Sequence, residues 1–381
     1  MPDGRLARQA TVLTSKGDKT ASDACGVEKQ AGIWYHPVMS GDAKAEPRLL
    51  DVTIVLVNEG FASTAIGPIE VFTAAGSMWN EMSGEQPRPR FRVTMASIDG
   101  APIRSAYGLR IAPDKSIAEV DKVDLIFVSA SGAVPEDWMQ RHAEVPPWLV
   151  SWHDRGAFIA GVCSGVAFLA EAGLLDGRRA TTHWGVAEAF RESYPKVDWC
   201  PDLLITEDGG IFCGGGVNAA LDLSLYLTDR LCGHETAVGC AKALVVDMPR
   251  VHQSGYALLP LSPPHGDAKV QEAEDYLQAN FRENPSVEAV ARHLGMSPRN
   301  LIRRFKAATG RLPGAYLQRV RVAAARQMLE DGRTPVLRVG TSVGYEDPAY
   351  FRRVFKRHMG LTPSGYRDRF RMRFPHFAGP P

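Results

Sequence analysis

Two residues of this chain have the types and neighbours for covalent chemistry. Cys163 stands at the centre of Gly161-Val-Cys163-Ser-Gly165, between a β-branched apolar run and an apolar helical stretch. A strand–turn–helix elbow of this kind holds its central residue on a tight turn, where small neighbours tolerate crowding and the following helix N-terminus stabilises a thiolate or a bound anion. Further on, Thr181-Thr-His183-Trp184 supplies an imidazole able to pair with such a thiol. The spacing alone also fits a packing cysteine and an unrelated histidine.

The elements around these residues set their context. Asp51–Val57, Phe91–Ala96, Asp124–Val128 and Ala157–Val162 are short β-branched apolar runs, the pattern of strands buried on both faces. Helix-like stretches at Ile69–Met78, Pro147–Arg155 and Gly165–Leu175 separate several of them, and Leu221–Cys232 and Glu235–Asp247 read as closing helices. Strands alternating with helices specify an α/β fold, a flavodoxin-like three-layer sandwich with a mostly parallel sheet. With 381 residues the chain exceeds what one core usually serves, so a second domain is expected. The prolines and glycine of Leu258-Leu-Pro-Leu-Ser-Pro-Pro-His-Gly266 place the boundary. The expected organisation is a flexible leader over 1–49, the α/β domain over 50–257, a linker over 258–268, an all-α domain over 269–371 and a tail over 372–381. No apolar run has the length of a membrane span and Met1–Ala10 lacks the apolar core of a secretion signal, so a cytoplasmic protein with no membrane partner is expected. The six cysteines form no CxxC pair, which points to mostly reduced thiols and to no bound metal or cofactor.

Overall charge is nearly balanced at +1, but its distribution is not. Residues 268–381 hold 21 Lys+Arg against 10 Asp+Glu, and the rest of the chain holds 23 against 33. A basic block on an acidic partner has the electrostatics of a polyanion-binding module. Within the block Gly295-Met-Ser-Pro-Arg-Asn-Leu-Ile-Arg-Arg-Phe-Lys306 is echoed by Gly344-Tyr-Glu-Asp-Pro-Ala-Tyr-Phe-Arg-Arg-Val-Phe-Lys356. Each follows a short helical segment that ends at a glycine and precedes a turn glycine, Gly310 or Gly360, which is helix–turn–helix grammar written twice. In the first unit Leu301, Phe305 and Ala308 share one helix face, and Arg299, Arg303 and Lys306 the other. In the second, Phe351, Phe355 and Met359 face inward while Ala349, Arg352, Arg353 and Lys356 face out. Ser297 and Asp347 are the expected N-caps. Helices of this kind fit the major groove of double-stranded DNA.

Residues 270–371 resemble the DNA-binding domain of the AraC/XylS family of transcriptional regulators, through Val343-Gly-Tyr345, Tyr350-Phe-Arg-Arg-Val-Phe-Lys356 and Gly360-Leu-Thr-Pro-Ser-Gly-Tyr366. The resemblance implies that two recognition helices enter successive major grooves of promoter DNA. Its DNA-contacting candidates are Arg299, Ile302, Arg303 and Lys306 in the first helix, and Ala349, Tyr350, Arg352, Arg353 and Lys356 in the second. Ile302 and Ala349 offer only apolar contact, which suits thymine methyls.

The elbow, with the Gly60-Phe…Gly67-Pro-Ile-Glu-Val-Phe72 segment, resembles the class I glutamine amidotransferase-like superfamily in its PfpI branch, over residues 51–250. A domain of that kind joined to an AraC-type module is the architecture of the GlxA-like regulators. The catalytic pattern of the superfamily is broken here. The His-x-Glu of the amidotransferases is His183-Trp184-Gly185, and the place of the PfpI-type carboxylate, counted back from Pro68, falls on Thr64 or Ala65. Glu59 and Glu70 are displaced from it. The resemblance therefore implies a regulator, not an enzyme: a degenerate pocket formed by Cys163, Ser164, Thr182, His183, Trp184, Gly132 and Phe61 that binds a small effector, with Phe212 a further candidate wall. An amino acid, betaine or other nitrogen metabolite is the implied class, and a homodimer, RNA polymerase contact and transcriptional activation are the family habits. The alternatives are a Cys-dependent amidase or hydratase with an appended DNA-binding domain, and a redox-sensing regulator using Cys163.

Overall fold

A computed structural model describes residues 48–132, 139–250, 252–253, 256 and 265–370. The expected leader up to residue 47, the expected linker over 258–264 and the expected tail lie outside the described residues. The strands in chain order are β1 (Leu50–Val55), β2 (Phe91–Ser97), β3 (Ile103–Arg104), β4 (Arg110–Ile111), β5 (Lys115–Ser116), β6 (Leu125–Val128), β7 (Phe158–Val162), β8 (Arg179–Ala180), β9 (Asp198–Trp199), β10 (Ile205–Asp208) and β11 (Ile211–Gly214). Seven of them form one sheet in the order β10-β11-β7-β6-β1-β2-β5. Its pairings are parallel except at β10–β11, an antiparallel hairpin turned by Gly209 and Gly210. Both turn glycines have left-handed φ, +60° and +81°, as a two-residue type I′ turn requires.

The central strands are mostly apolar because both faces are covered, with Asp51 and Thr53 of β1 the exceptions. Val52, Ile54, Phe127 and Val162 pack under helices Ser63–Ala74 and Ala219–Cys232, and Val55, Ile126, Val128 and Ile159 pack under Val145–His153 and Val166–Glu171. The result is the three-layer flavodoxin-like sandwich that the strand–helix alternation specifies. The first helix differs from expectation. It runs over Ser63–Ala74 with Pro68 inside it, not from Ile69 onward. Burial of Ala65 and Phe72 against the sheet, and of Val71 against Leu225 and Cys240, outweighs the hydrogen bond lost at the proline.

The second half is all helical: Ala268–Ala279, Val287–His293, Pro298–Thr309, Pro313–Asp331, Val336–Ser342, Pro348–Met359 and Pro363–Phe370. The internal echo folds as two helix–turn–helix units, each with its own core, one around Leu301, Phe305 and Tyr316 and the other around Val339, Phe351, Phe355 and Tyr366. Helix Pro313–Asp331 contributes to both. None of the described helices is long and apolar enough to cross a membrane.

Candidate functional site

Parallel β1, β6, β7 and β11 deliver their carboxyl ends to one edge of the sheet, so the loops that follow them gather there. In open α/β sheets this edge, where the strand order reverses, is where ligands bind. The reversal here lies beside β1, between β2 and β6. Close packing makes the loops interdependent. A Cβ at Gly60 would fall 1.7 Å from the Ala130 carbonyl oxygen, and one at Gly165 would fall 2.4 Å from that of Ser129.

Cys163 has φ +55°, so the elbow strain expected from its motif is present. Thr182 Oγ1 donates to the Cys163 carbonyl at 2.8 Å, and Ser164 Oγ donates to the Ser131 carbonyl at 2.5 Å. These bonds bring Cys163, Ser164, Thr182 and the Ser131-Gly132 turn together. His183 is half-buried, its Nδ1 accepting from the Gly185 N–H at 3.0 Å, and its ring lies 5.2 Å from that of Trp184. Among the described residues no hydrogen bond links the His183 ring to the Cys163 thiol. Phe61 is part-exposed and meets Tyr107 edge-on at 5.7 Å, whereas Phe212 is core, packed between Phe158 and Tyr226. Phe212 is therefore core and not a pocket wall: as part of β11 its side chain points into the layer between sheet and helix.

The electrostatics oppose nucleophilic chemistry. Burial pushes the Cys163 thiol up to about 11, although its hydrogen bonding with Ser164 acts in the opposite sense. Reactive thiolates show the reverse shift. Burial also holds the His183 imidazole below its ordinary value. Thr64 and Ala65, the two candidate places for the PfpI-type carboxylate, are both buried; the Thr64 hydroxyl donates to the Phe61 carbonyl at 2.6 Å and accepts from the Ala130 N–H at 3.0 Å. Glu59 is engaged elsewhere, receiving both terminal nitrogens of Arg141 at 3.0 and 2.8 Å, and this pairing lowers its pKa.

Two residues that the sequence did not single out help build this edge. Asn58 accepts from the Ser131 hydroxyl at its carbonyl and from the Arg104 N–H at Oδ1, and its own N–H meets His142 Nε2. Gln253, from beyond the sheet, inserts its amide under Thr181–Trp184. A cleft of about 400 Å³ opens beside Asn58, Glu59, Arg104 and Arg141, and none of the seven expected ligand residues lines it.

In the helical half all nine DNA-contacting candidates are exposed. Helix Pro298–Thr309 is capped by Ser297, whose hydroxyl accepts from the Asn300 N–H, and helix Pro348–Met359 by Asp347, whose carboxylate accepts from the Ala349 N–H. Both end at glycines with φ +70°, Gly310 and Gly360. Arg304 is turned away from the outward face to bind Asp267 through two nitrogens, at 2.9 and 2.6 Å. Arg303 is steadied by Asn300 Oδ1 at 3.0 Å, and the Arg353 guanidinium lies 5.8 Å from the centre of the Tyr350 ring. Arg321 of the joining helix is buried, donates to the Phe281 carbonyl at 2.7 Å and stacks on Tyr345, so it ties the first unit to the turn of the second. Its position in a mid-helix basic sequence carries no mark of that role.

Residues 52–229 match the DJ-1/PfpI family, and residues 290–369 match the helix-turn-helix domain family. The HTH-type transcriptional regulator CdhR of Pseudomonas aeruginosa is 30% identical over 72% of this chain and 81% of its own length. The HTH-type transcriptional regulator GbdR of the same species is 27% identical over 76% of this chain and 78% of its own. The HTH-type transcriptional regulator GlxA of Rhizobium meliloti is 28% identical, covering 74% and 86% respectively.

Proposed function

This chain belongs to the AraC/XylS-type transcriptional regulators that carry an amino-terminal DJ-1/PfpI domain, as GlxA does, and on that premise we propose how its two halves divide the work. It is a DNA-binding regulator. The helical half reads promoter DNA with two helices in the major groove, Arg299, Ile302, Arg303 and Lys306 on one and Ala349, Tyr350, Arg352, Arg353 and Lys356 on the other. The observation that carries this assignment is the exposure of the same basic face on two structurally equivalent helices, each backed by its own core.

The α/β half is a sensor that binds without turning over. Cys163, Ser164, Thr182, His183, Trp184, Gly132 and Phe61 surround a small carboxylate- or amide-bearing metabolite, of the amino acid or betaine class, at the carboxyl edge of the sheet. The raised thiol of Cys163 and the buried Thr64 hydroxyl support binding over catalysis and over thiolate-based redox sensing. The protein works in the cytoplasm as a C2 homodimer, and the effector changes how two protomers present their helices to the promoter and to RNA polymerase, favouring activation.

The test is selection of operators from random duplexes by the full chain, followed by binding across a salt series. Two half-sites per protomer, each spoiled by substitutions in its own helix, support the assignment. A single half-site that responds to neither Arg303→Ala nor Arg353→Ala refutes it.

A further inference from the structure

Among the described residues between the two halves, Arg250, His252, Gln253 and Tyr256 are each tied to a different part of the molecule. Arg250 holds the buried Asp222 of helix Ala219–Cys232, its Nη2 2.6 Å from Oδ2 and its Nε 3.1 Å from Oδ1. Gln253 is 2% exposed. Its Nε2 donates one hydrogen to the Thr182 carbonyl at 2.7 Å and shares the other between the Leu203 carbonyl at 3.1 Å and Thr181 Oγ1 at 3.2 Å, while its Oε1 accepts from the Trp184 N–H at 3.3 Å. The β11 loop closes over the same amide: a Cβ at Gly215 would fall 2.4 Å from it. One side chain thus holds the backbone on both sides of His183.

His252, the residue before it, points the other way. It pairs with Leu203 in an antiparallel bridge and lies against Gly360, where a Cβ would fall 2.6 Å from the His252 Cβ and 2.8 Å from its Cγ. Gly360 is the left-handed C-cap of the second recognition helix. Tyr256 then meets Phe370 of the last helix at 5.2 Å.

The geometry points to His252 and Gln253 as a coupling element between the elbow edge of the α/β domain and the second recognition helix. Adjacent residues cannot move independently. Gln253 cannot leave its socket without cost, because the Thr182 carbonyl would lose its 2.7 Å partner and the Trp184 N–H its acceptor, although the Leu203 carbonyl would keep the Thr181 hydroxyl. His252 cannot shift without moving the helix end it touches, since Gly360 offers no side chain to absorb the displacement. Whatever displaces Thr181–Trp184 therefore reaches Lys356–Gly360, and by linkage whatever fixes that helix end acts back on the loop. Use of this path by an effector rests on the sensory reading above. The coupling itself is a property of the free chain and is tested without any ligand.

Hydrogen exchange read by mass spectrometry on the full chain, on Gln253→Ala, on His252→Ala and on the double variant is the experiment. Gln253→Ala raises exchange over Thr181–Trp184 and, by roughly three-fold or more, over Lys356–Gly360. In the double variant the change at Lys356–Gly360 falls back to that of His252→Ala alone. Exchange confined to Thr181–Trp184, or effects at Lys356–Gly360 that simply add in the double variant, overturns the coupling. Should Gln253→Ala fail to fold, His252→Ala is read in reverse: faster exchange at Thr181–Trp184 upholds the element, and unchanged exchange there refutes it. A metabolite screen that finds nothing leaves all of these outcomes as they are, so the two readings fail separately.

Discussion

The Thr64 hydroxyl accepts a hydrogen bond from the Ala130 N–H at 3.0 Å, and so a neutral group links the start of helix Ser63–Ala74 to the loop after β6. The hydroxyl is fully buried and holds that helix start against the loop. Thr64→Val, nearly isosteric, strands the Ala130 N–H and should lower unfolding free energy by about 1–3 kcal/mol. Denaturant titration of the full chain measures it, and a loss within experimental error would mean that the hydroxyl is not needed for the loop packing.

Cys163 should be a slow thiol. With its pKa pushed up to about 11 from an ordinary 9.0, its thiolate fraction near pH 8 is on the order of a hundredfold below that of an unperturbed cysteine. Alkylation by iodoacetamide, followed by peptide mass spectrometry, should label Cys163 no faster than Cys232 and Cys240, whose thiols burial also pushes up to about 11. Preferential labelling of Cys163 at neutral pH would return the nucleophile and redox readings to contention.

Much of this site is legible in the sequence where local chemistry decides the structure. The recognition helices fall at the residues expected of them because Ser297, Asp347, Gly310 and Gly360 punctuate them. The elbow is legible because a strand, a run of small residues and a helix succeed one another within a few positions. The β10–β11 hairpin carries a signal that composition alone overlooks, an Asp208-Gly209-Gly210 turn between two apolar runs. Gln253 and Arg321 were illegible for a different reason. A lone polar residue in a coil, or in a basic helix, reads as solvated, and only the tertiary fold brings Thr182 or Phe281 to it.

His358 should make the protein acid-sensitive. Burial, together with the charges of Arg319, Arg357 and Arg311, lowers its pKa to about 4 from an ordinary 6.5. The unfolded chain takes up this proton as pH falls below about 6.5, while the folded chain refuses it until about 4. Stability from the neutral imidazole is therefore complete above that window and drains as pH falls through it, at up to about 1.4 kcal/mol per pH unit. Unfolding free energies at pH 7 and pH 4.5 should differ by less in His358→Gln than in the parent, by an amount on the order of 2 kcal/mol. Parallel pH profiles for the two proteins would exclude His358 as the group responsible.

Arg303 and Lys306 should separate sequence reading from charge attraction. Arg303→Ala should cost ~1–3 kcal/mol on the selected operator and much less on random duplex. Lys306→Ala should weaken both alike and reduce the salt slope by about one unit. Fluorescence anisotropy over a salt series distinguishes them, and equal losses on both duplexes for Arg303→Ala would make it a phosphate contact.

The most direct test of a binding-only sensor is a thermal-shift screen of the full chain against amino acids, betaines, carnitine-like compounds and polyamines, with each compound assayed afterwards for consumption. A ligand at a hundredfold excess over its Kd stabilises the folded state by about 2.7 kcal/mol, which such a scan resolves. At least one compound should raise Tm, lose that effect in His183→Ala and be recovered unchanged. Consumption of a compound that depends on Cys163, or a panel that leaves Tm unmoved while operator binding is intact, would contradict a binding-only sensor.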